Sequence, residues 1–476
     1  MKIDSAIFRT YDIRGIFNDS LTPDIAEVIG KAFGLLIRER VKKRLINVAV
    51  GRDIRLHSQV LSNSLIRGLT IAGINVIDLG VCSTPALYFS LHVLPVDGGI
   101  MITGSHNPPE FNGMKMCIGK STIFGNDIQI LYEITQNLPK FDFRKGEVRT
   151  FNILEIYKSY LIENFEFLKD GIRKIGSLKI GVDAGNGVGG IIIGDIFKKL
   201  GIDSVNLFFE PDGRFPNHIP DPTLTNTLNY LVEEVKSKKL SFGISFDGDV
   251  DRIGVIDENG KIIYGDQLTW IFAKDILKKY PGAKIIGEVK CSKSLFDGIK
   301  ELGGIPIISP VGHSLIKNRI KIEEALLAGE MSGHIYFNDQ YFGYDDAIYA
   351  TMRLIEIFIK EKIKNRDFVF SDLLRGFKKR YVSPEIRIKC SEDLKFEIVK
   401  KFLQKFKTLY PKISEEIEKV ITIDGVRIEF KNGWGLLRAS NTQPALVMRF
   451  EFDNEKEIKK YKRIFEDIVK KLEVEI

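Results

Sequence analysis

The chain has 476 residues, 44% hydrophobic and 28% charged, with 70 Lys+Arg against 63 Asp+Glu and a formal net charge of +7. That is a globular composition, long enough for roughly three or four domains, with no apolar run that would span a bilayer. No Lys/Arg block is interleaved with aromatics, which argues against a nucleic-acid partner, and the four scattered cysteines (Cys82, Cys117, Cys291, Cys390), without a CxxC pair, argue against structural zinc and for a reducing cytosol.

In chain order, the N-terminus lacks the charged and apolar regions of a signal peptide, so a cytoplasmic location is expected. Tyr11, Asp12 and Arg14 then lie in a glycine-ended polar turn. Leu45–Val50 reads as a strand, Gly51–Arg55 as a polar turn, Val60–Ile71 as a helix ended by Gly73, and Ile74–Leu79 as a second strand. A helix around Pro85–His92 leads to the apolar run Gly98–Ile102, and Asn107-Pro108 then forces a turn. Ser105 is expected on that tight loop, its hydroxyl presented rather than packed.

The same order returns twice. Leu178–Val182, a helix, Ser204–Phe209, a second helix and Phe242–Phe246 lead to the loop Asp247–Arg252. Lys284–Val289, a helix, Ile305–Ile308, a helix around Ser314–Ile320 and Ala325–Ala328 lead to the loop Gly329–His334. Such alternation implies α/β layers with largely parallel strands. It predicts three similar α/β domains, over 1–150, 151–256 and 257–368. A smaller α+β domain is expected over 369–476. There Val420–Phe430 and Leu446–Phe452 alternate as strands, Arg438–Pro444 lies between them, and Ile458–Leu472 is an amphipathic helix. A polar stretch around 362–367 is expected to join that domain to the rest.

In each α/β copy the richest polar loop follows the third strand, and ligands of open α/β sheets bind beyond the strands' carboxyl ends. Asp247, Asp249 and Asp251 recur with period two at a strand end, so the three carboxylates share a face and repel unless a cation lies between them. Hard oxygen ligands suit Mg²⁺. The plainer alternative is an acidic turn. Glu330, Ser332 and His334 are either a capped turn or a set that reads sugar hydroxyls. Arg438, Ser440, Asn441 and Thr442 are either a surface hairpin or a phosphate grip built on a guanidinium fork.

The motifs TGSHNPPEFNGMK, DGDVDR, GEMSGH and RASNTQP, in this order over nearly the whole chain, resemble those of the α-D-phosphohexomutases. GEMSGH resembles the phosphomannomutase/phosphoglucomutase group; phosphoglucosamine mutases usually have glutamine at the position of Met331. The resemblance implies three mixed α/β domains and a C-terminal TATA-binding-protein-like α+β domain around a central cleft. It implies that Ser105 carries a phosphoryl group and, with Asp247, Asp249 and Asp251, holds Mg²⁺. Tyr11, Arg14, His106, Lys115, Arg252, Lys290 and His313 are implied at the reaction centre, and Glu330, Ser332 and His334 at the sugar. Arg438, Ser440, Asn441, Thr442 and Arg449 are implied at the non-reacting phosphate.

The implied reaction gives the phosphoryl group of Ser105 to a hexose 1- or 6-phosphate, turns the bound hexose 1,6-bisphosphate around, and takes the other phosphate back. The bisphosphate is both intermediate and activator. Charge neutralisation would come from Mg²⁺, Arg252 and Lys115, with Lys115, His313 and Arg14 open as proton acceptors. The expected partners are phosphorylated hexoses, with no nucleic acid and no membrane, for a monomer or weak homo-oligomer. Other readings are a phosphoglucosamine mutase, a phosphatase of the haloacid-dehalogenase type and a silent sugar-phosphate sensor. Two positions depart from the family pattern. Ile219 replaces a frequent histidine. Val250 replaces glycine or alanine, and because a β-branched residue disfavours positive φ, an extended loop is expected there.

Overall fold

The computed structural model describes residues 3–440 and 444–475. The chain forms two compact units, one from the residues up to Leu268 together with Ser332–Arg375, the other from Thr269–Met331 together with the residues from Gly376 on.

The first unit holds two sheets whose centres repeat one plan. In the first, strand Asn47–Arg52 pairs in parallel with Asn75–Val81 on one side and Gly98–Ile102 on the other. In the second, Lys179–Asp183 pairs in parallel with Asp203–Leu207 and with Phe242–Phe246. Each third strand is then flanked by an antiparallel one, Phe111–Ile118 beside Gly98–Ile102 and Ile253–Asp257 beside Phe242–Phe246. Gly98–Ile102 and Phe242–Phe246 are buried at every residue, which is why both read as unbroken apolar runs rather than alternating ones. Helices Pro23–Val41 and Ser58–Ile71 pack together and bury Ile29, Phe33, Leu65 and Leu69 against the first sheet. Thr22 and Ser83 cap the helices that follow them, each with proline in the first turn, so those ends are written locally.

In the second unit Lys284–Glu288 pairs in parallel with Ile305–Ser309 and with Leu327–Gly329, the same three-strand plan again. The rest is an antiparallel sheet covered by helices Glu392–Leu409 and Glu455–Glu475, with Phe402, Phe406, Phe450 and Phe465 in its core. These are the mixed α/β and α+β elements expected.

Two local expectations need correcting. Arg438 does not lie in a loop between strands. A strand unmarked in the sequence reading, Gly433–Ala439, runs through it and pairs with both Val426–Phe430 and Ala445–Phe452. Its glycines and buried residues on both faces erase the alternation that would announce it. The stretch 362–367, expected as a join, is the end of helix Ala347–Lys364 and the turn after it. The chain continues into Phe370–Leu374, whose Phe370 stacks on Phe242 at 4.3 Å.

Candidate active site

Ser105 lies just past the end of Gly98–Ile102, on the expected loop, but its side chain is packed rather than presented: the residue is 2% exposed. Its φ of +48° turns the hydroxyl inward, where Oγ donates to Asp247 Oδ2 at 2.7 Å. Two loops meet to make this contact. Gly248 lets them do so, since a Cβ there would fall 2.6 Å from the Ser105 carbonyl oxygen. His106 Nδ1 lies 3.2 Å from Ser105 Oγ. Burial, then Arg252 and Arg14, hold the His106 imidazole well below its ordinary pKa, so it is neutral at physiological pH.

Asp247, Asp249 and Asp251 are wholly buried, and each offers an oxygen within 4.8 Å of the others'. Asp247 Oδ1 accepts from the backbone N–H groups of Asp251 and Arg252, both at 3.1 Å. Asp249 Oδ2 accepts from Thr84 Oγ at 2.5 Å and Lys115 Nζ at 2.6 Å, and Lys115 also bonds Asp251 Oδ2. Asp249 Oδ1 and Asp251 Oδ1 are buried without a hydrogen-bond partner. Buried carboxylate oxygens left over in an all-oxygen cluster fit a small hard divalent cation.

Burial and the other two aspartates push the Asp247 carboxyl well above its ordinary pKa. Burial also pushes Asp249 and Asp251 up, but Lys115 outweighs it and both end below the ordinary value, helped by Thr84 at Asp249 and by His334 at Asp251. Lys115 is opposed by burial and held up by Asp249 and Asp251, so it keeps its proton.

Val250 corrects the sequence expectation. Its φ is +67°, not extended. The turn closes with Val250 N–H on Asp247 O at 3.2 Å, and Ala347 N–H donates to Val250 O at 3.2 Å. This closure delivers the Asp251 and Arg252 amides to Asp247. The left-handed strain, on the order of 1–2 kcal/mol, is offset by full burial of the valine side chain, worth about 1.5–3 kcal/mol.

Arg14 enters on Ile13–Ile16, the strand antiparallel to Phe111–Ile118 that also carries Lys115. Its guanidinium donates to Gly104 O at 2.7 Å and Asn107 Oδ1 at 2.8 Å and pairs with Asp12. Burial works against the Arg14 charge, Asp12 restores it, and the net pKa is raised. Tyr11 is half-buried in the preceding loop. His334 is 4% exposed, with Nδ1 3.0 Å from both Asp251 O and Asp345 Oδ2. Arg252 Nε donates to His334 Nε2 at 3.1 Å, so Nε2 accepts and the proton sits on Nδ1. Ser332, in the same unit, is half-buried.

The second unit gathers the other residues. Glu330 is 2% exposed and accepts from Gly312 N–H at 2.9 Å. Glu288, at the end of its strand, accepts from Lys290 N–H at 2.6 Å, and burial holds its carboxyl above the ordinary pKa. Lys290 Nζ lies 3.5 Å from Glu385. His313 begins helix His313–Glu323, with Nδ1 3.0 Å from Lys317 Nζ. Arg438 is paired through Nε and Nη2 with Asp424, which also accepts from Val311 N–H. Ser440 is buried, its carbonyl bonded by Lys395, and Arg449 Nε is buried without a hydrogen-bond partner. Asn441 and Thr442 lie outside the described residues.

Sequence reasoning missed Thr84, Asp345, Glu288 and Asp424. Each acts by reaching across from another element, and only Asp345, in the acidic pair 345–346, left any local signal.

Four family profiles match in order. They are the phosphoglucomutase/phosphomannomutase alpha/beta/alpha domains I, II and III at residues 5–141, 155–260 and 264–375, and the C-terminal domain of the same family at 385–468. A "Phosphomannomutase/phosphoglucomutase" of Pseudomonas syringae is 42% identical over 99% of this chain and 96% of its own length. The crystal structure of a phosphoglucomutase/phosphomannomutase family protein from Burkholderia thailandensis aligns with a TM-score of 0.87 at 36% identity, covering 99% of this chain and 98% of that one. A more distant likeness, of fold alone, is to Aspergillus fumigatus N-acetylphosphoglucosamine mutase in complex with GlcNAc-6P and magnesium, with a TM-score of 0.58 at 14% identity, covering 99% of this chain and 96% of that one. Together the fold and these matches define an enzyme of the phosphohexomutase class. The chain belongs to the phosphoglucomutase/phosphomannomutase family.

Proposed function

We propose that this phosphohexomutase moves a phosphoryl group between the 1- and 6-positions of glucose or mannose phosphate, with Ser105 as the carrier and hexose 1,6-bisphosphate as the bound intermediate. The observation that carries the reading is the buried Ser105 hydroxyl, 2.7 Å from the first carboxylate of the aspartate cluster. Asp247, Asp249 and Asp251, with Ser105 Oγ, would hold Mg²⁺. Bound there, it supplies positive charge against the oxygens of a phosphoryl group in transfer.

The chain's own residues do the rest. Lys115 supplies a fixed positive charge beside Asp249 and Asp251. Arg14 steadies Gly104 and Asn107 on either side of Ser105. Lys115, Arg14 and His313 stand as the candidates to take the proton of the attacking hydroxyl, and Mg²⁺ bound to Asp249 and Asp251 would weaken their hold on the Lys115 proton. His334, its proton on Nδ1, holds Arg252. In the second unit, Lys290 is assigned to the reaction centre, Glu330 to the sugar, and Arg438, Ser440 and Arg449 to the phosphate. Arg449, with an unspent N–H, is suited to a phosphate oxygen. Asn441, Thr442, Tyr11, Ser332 and His313 are assigned as the family resemblance implies.

We divide the chain at 1–150, 151–256, 257–368 and 369–476, a reading supported by the thrice-repeated strand order. Four buried cysteine thiols support a cytoplasmic location. A coupled mutase assay with trace glucose 1,6-bisphosphate, run on glucose, mannose and glucosamine phosphates, tests the function. Isomerisation of the first two is expected. A wide preference for glucosamine phosphate would move the chain to the phosphoglucosamine mutases. Release of inorganic phosphate without isomerisation would mark a phosphatase.

A further inference from the structure

The segment 53–55, which follows strand Asn47–Arg52, has no part in the mechanism above, yet its last residue bonds the Ser105 loop four times. Arg55 is 2% exposed. Its Nη2 donates to Ser105 O at 2.9 Å and Asn107 O at 2.6 Å, and its Nη1 to Pro108 O at 2.6 Å and Phe111 O at 3.0 Å. Four carbonyls of one loop therefore converge on one guanidinium. Gly104 lies flat against it, where a Cβ would fall 2.4 Å from Arg55 Cζ, so no side chain fits. Asp53 completes the clamp. One of its oxygens accepts from Arg55 N–H at 3.0 Å and from the Ser58 hydroxyl. The other accepts from Gly104 N–H at 3.1 Å and lies 3.3 Å from Arg55 Nε. The ring of Phe215 covers Arg55 Cζ at 4.9 Å, and Phe215 is itself held at a φ of +50°. A non-glycine residue keeps that conformation only where its surroundings fix it.

We infer that Arg55 is a positioning residue for phosphoryl transfer, which gathers the carbonyls of residues 105–111, holds Ser105 at positive φ, and keeps those carbonyl dipoles turned away from the Ser105 hydroxyl. The inference rests on the reading of Ser105 as the carrier. Its chemistry is specific to arginine. The planar fork meets two acceptors on each terminal nitrogen, and a lysine ammonium carries the same charge but cannot span four acceptors in that geometry. Carbonyl oxygens freed from the clamp would turn their negative ends toward a phosphoryl dianion. A displacement of Ser105 by about 1 Å would be felt on the order of 100-fold in rate.

The experiment uses the full-length enzyme with Mg²⁺ and glucose 1-phosphate. Arg55→Lys should remain folded by circular dichroism and lose about tenfold to hundredfold in kcat, with KM within about threefold of the parent. An arginine needed only for stability would lower Tm and leave the kcat of folded protein alone. Gly104→Ala, which displaces the guanidinium without removing charge, should lose kcat similarly, and the double variant should lose no more than the worse single one, because both break one contact. Parental kcat in folded Arg55→Lys would overturn the inference. Should that variant not fold, parental kcat in Gly104→Ala would overturn it instead. Intact-mass measurement separates the two readings. An active parent carrying no phosphoryl group on Ser105 removes the carrier assignment and this inference with it, whereas a phosphorylated parent whose folded Arg55→Lys variant turns over at the parental kcat removes this inference alone.

Discussion

The two units carry polar centres of opposite character. The Ser105–Asp247 centre of the first unit is fixed before any ligand arrives. Ser105 and Val250 are both buried at positive φ, and two carboxylate oxygens are left without hydrogen-bond partners. In the second unit Arg438 is paired with Asp424 and Lys290 lies against Glu385, while Arg449 keeps one N–H unspent. Burial of the valine side chain offsets the strain at Val250, but the unsatisfied carboxylate oxygens are a cost that a bound cation can recover. Ion pairs that a ligand must displace give a grip that is moderate and easily released. Under the proposed function, the first centre would carry out the chemistry and the second would hold a phosphosugar and let it go.

The sharpest way to break this contrast is Ser105→Ala. Loss of the carrier should remove phosphoryl incorporation by intact mass and lower turnover on the order of a thousandfold or more. Full turnover would end the assignment. Next is Asp251→Asn, which removes one of the repelling carboxylates and one proposed cation ligand. The Mg²⁺ concentration for half-maximal activity should rise by about tenfold to hundredfold, EDTA should abolish parental activity, and added Mg²⁺ should restore it. Chelated enzyme that turns over unchanged would leave the triad without a metal role.

The second unit should respond through KM. Arg438→Ala should raise KM for every phosphosugar by roughly tenfold to hundredfold with a smaller change in kcat, because a grip on the non-reacting phosphate helps ground and transition states alike. Asp424→Asn should act in the opposite direction, lowering KM by about twofold to fivefold as Arg438 is released from its competitor. If both variants raise KM, the pair is structural and the proposed exchange is wrong.

Two smaller tests concern strain and charge outside the reacting groups. Val250→Gly relieves the left-handed strain but gives up a buried side chain. The balance predicts a net loss of about 1 kcal/mol, read as a Tm lower by a few degrees. A clear gain in Tm would mean that the valine packing is worth less than its burial suggests. His218 Nε2 lies 3.0 Å from buried Asp183 Oδ2. Burial opposes the imidazolium, Asp183 outweighs it, and the pKa ends above the ordinary 6.5. The native state then binds the proton more tightly than the unfolded chain. The extra stability is complete below pH 6.5 and is lost as pH rises through the folded value. Its size is about 1 kcal/mol or less after solvent screening. Thermal melts from pH 6 to 8 should slope downward in the parent and flatten in His218→Gln.

Sequence by itself determined the three-fold α/β plan, the α+β end and the loops that carry polar groups. These rest on local physics: apolar runs for buried strands, capping residues and proline at helix starts, and Asn107-Pro108 as a forced turn. Motif resemblance added the candidate set, from Ser105 and the aspartates to Arg438. Tertiary structure alone decided the rest. It buried Ser105 against Asp247, 142 residues away, and set Val250 at positive φ because closing the turn supplies two amides to a carboxylate. It showed Arg438 on a strand whose two-sided burial hides its period. It brought in Thr84, Asp424, Glu288 and Arg55, whose partners lie on other elements. A side chain's local sequence sets which helix or strand it joins, but the acceptors it meets are set by packing, and packing at long range leaves no period to read.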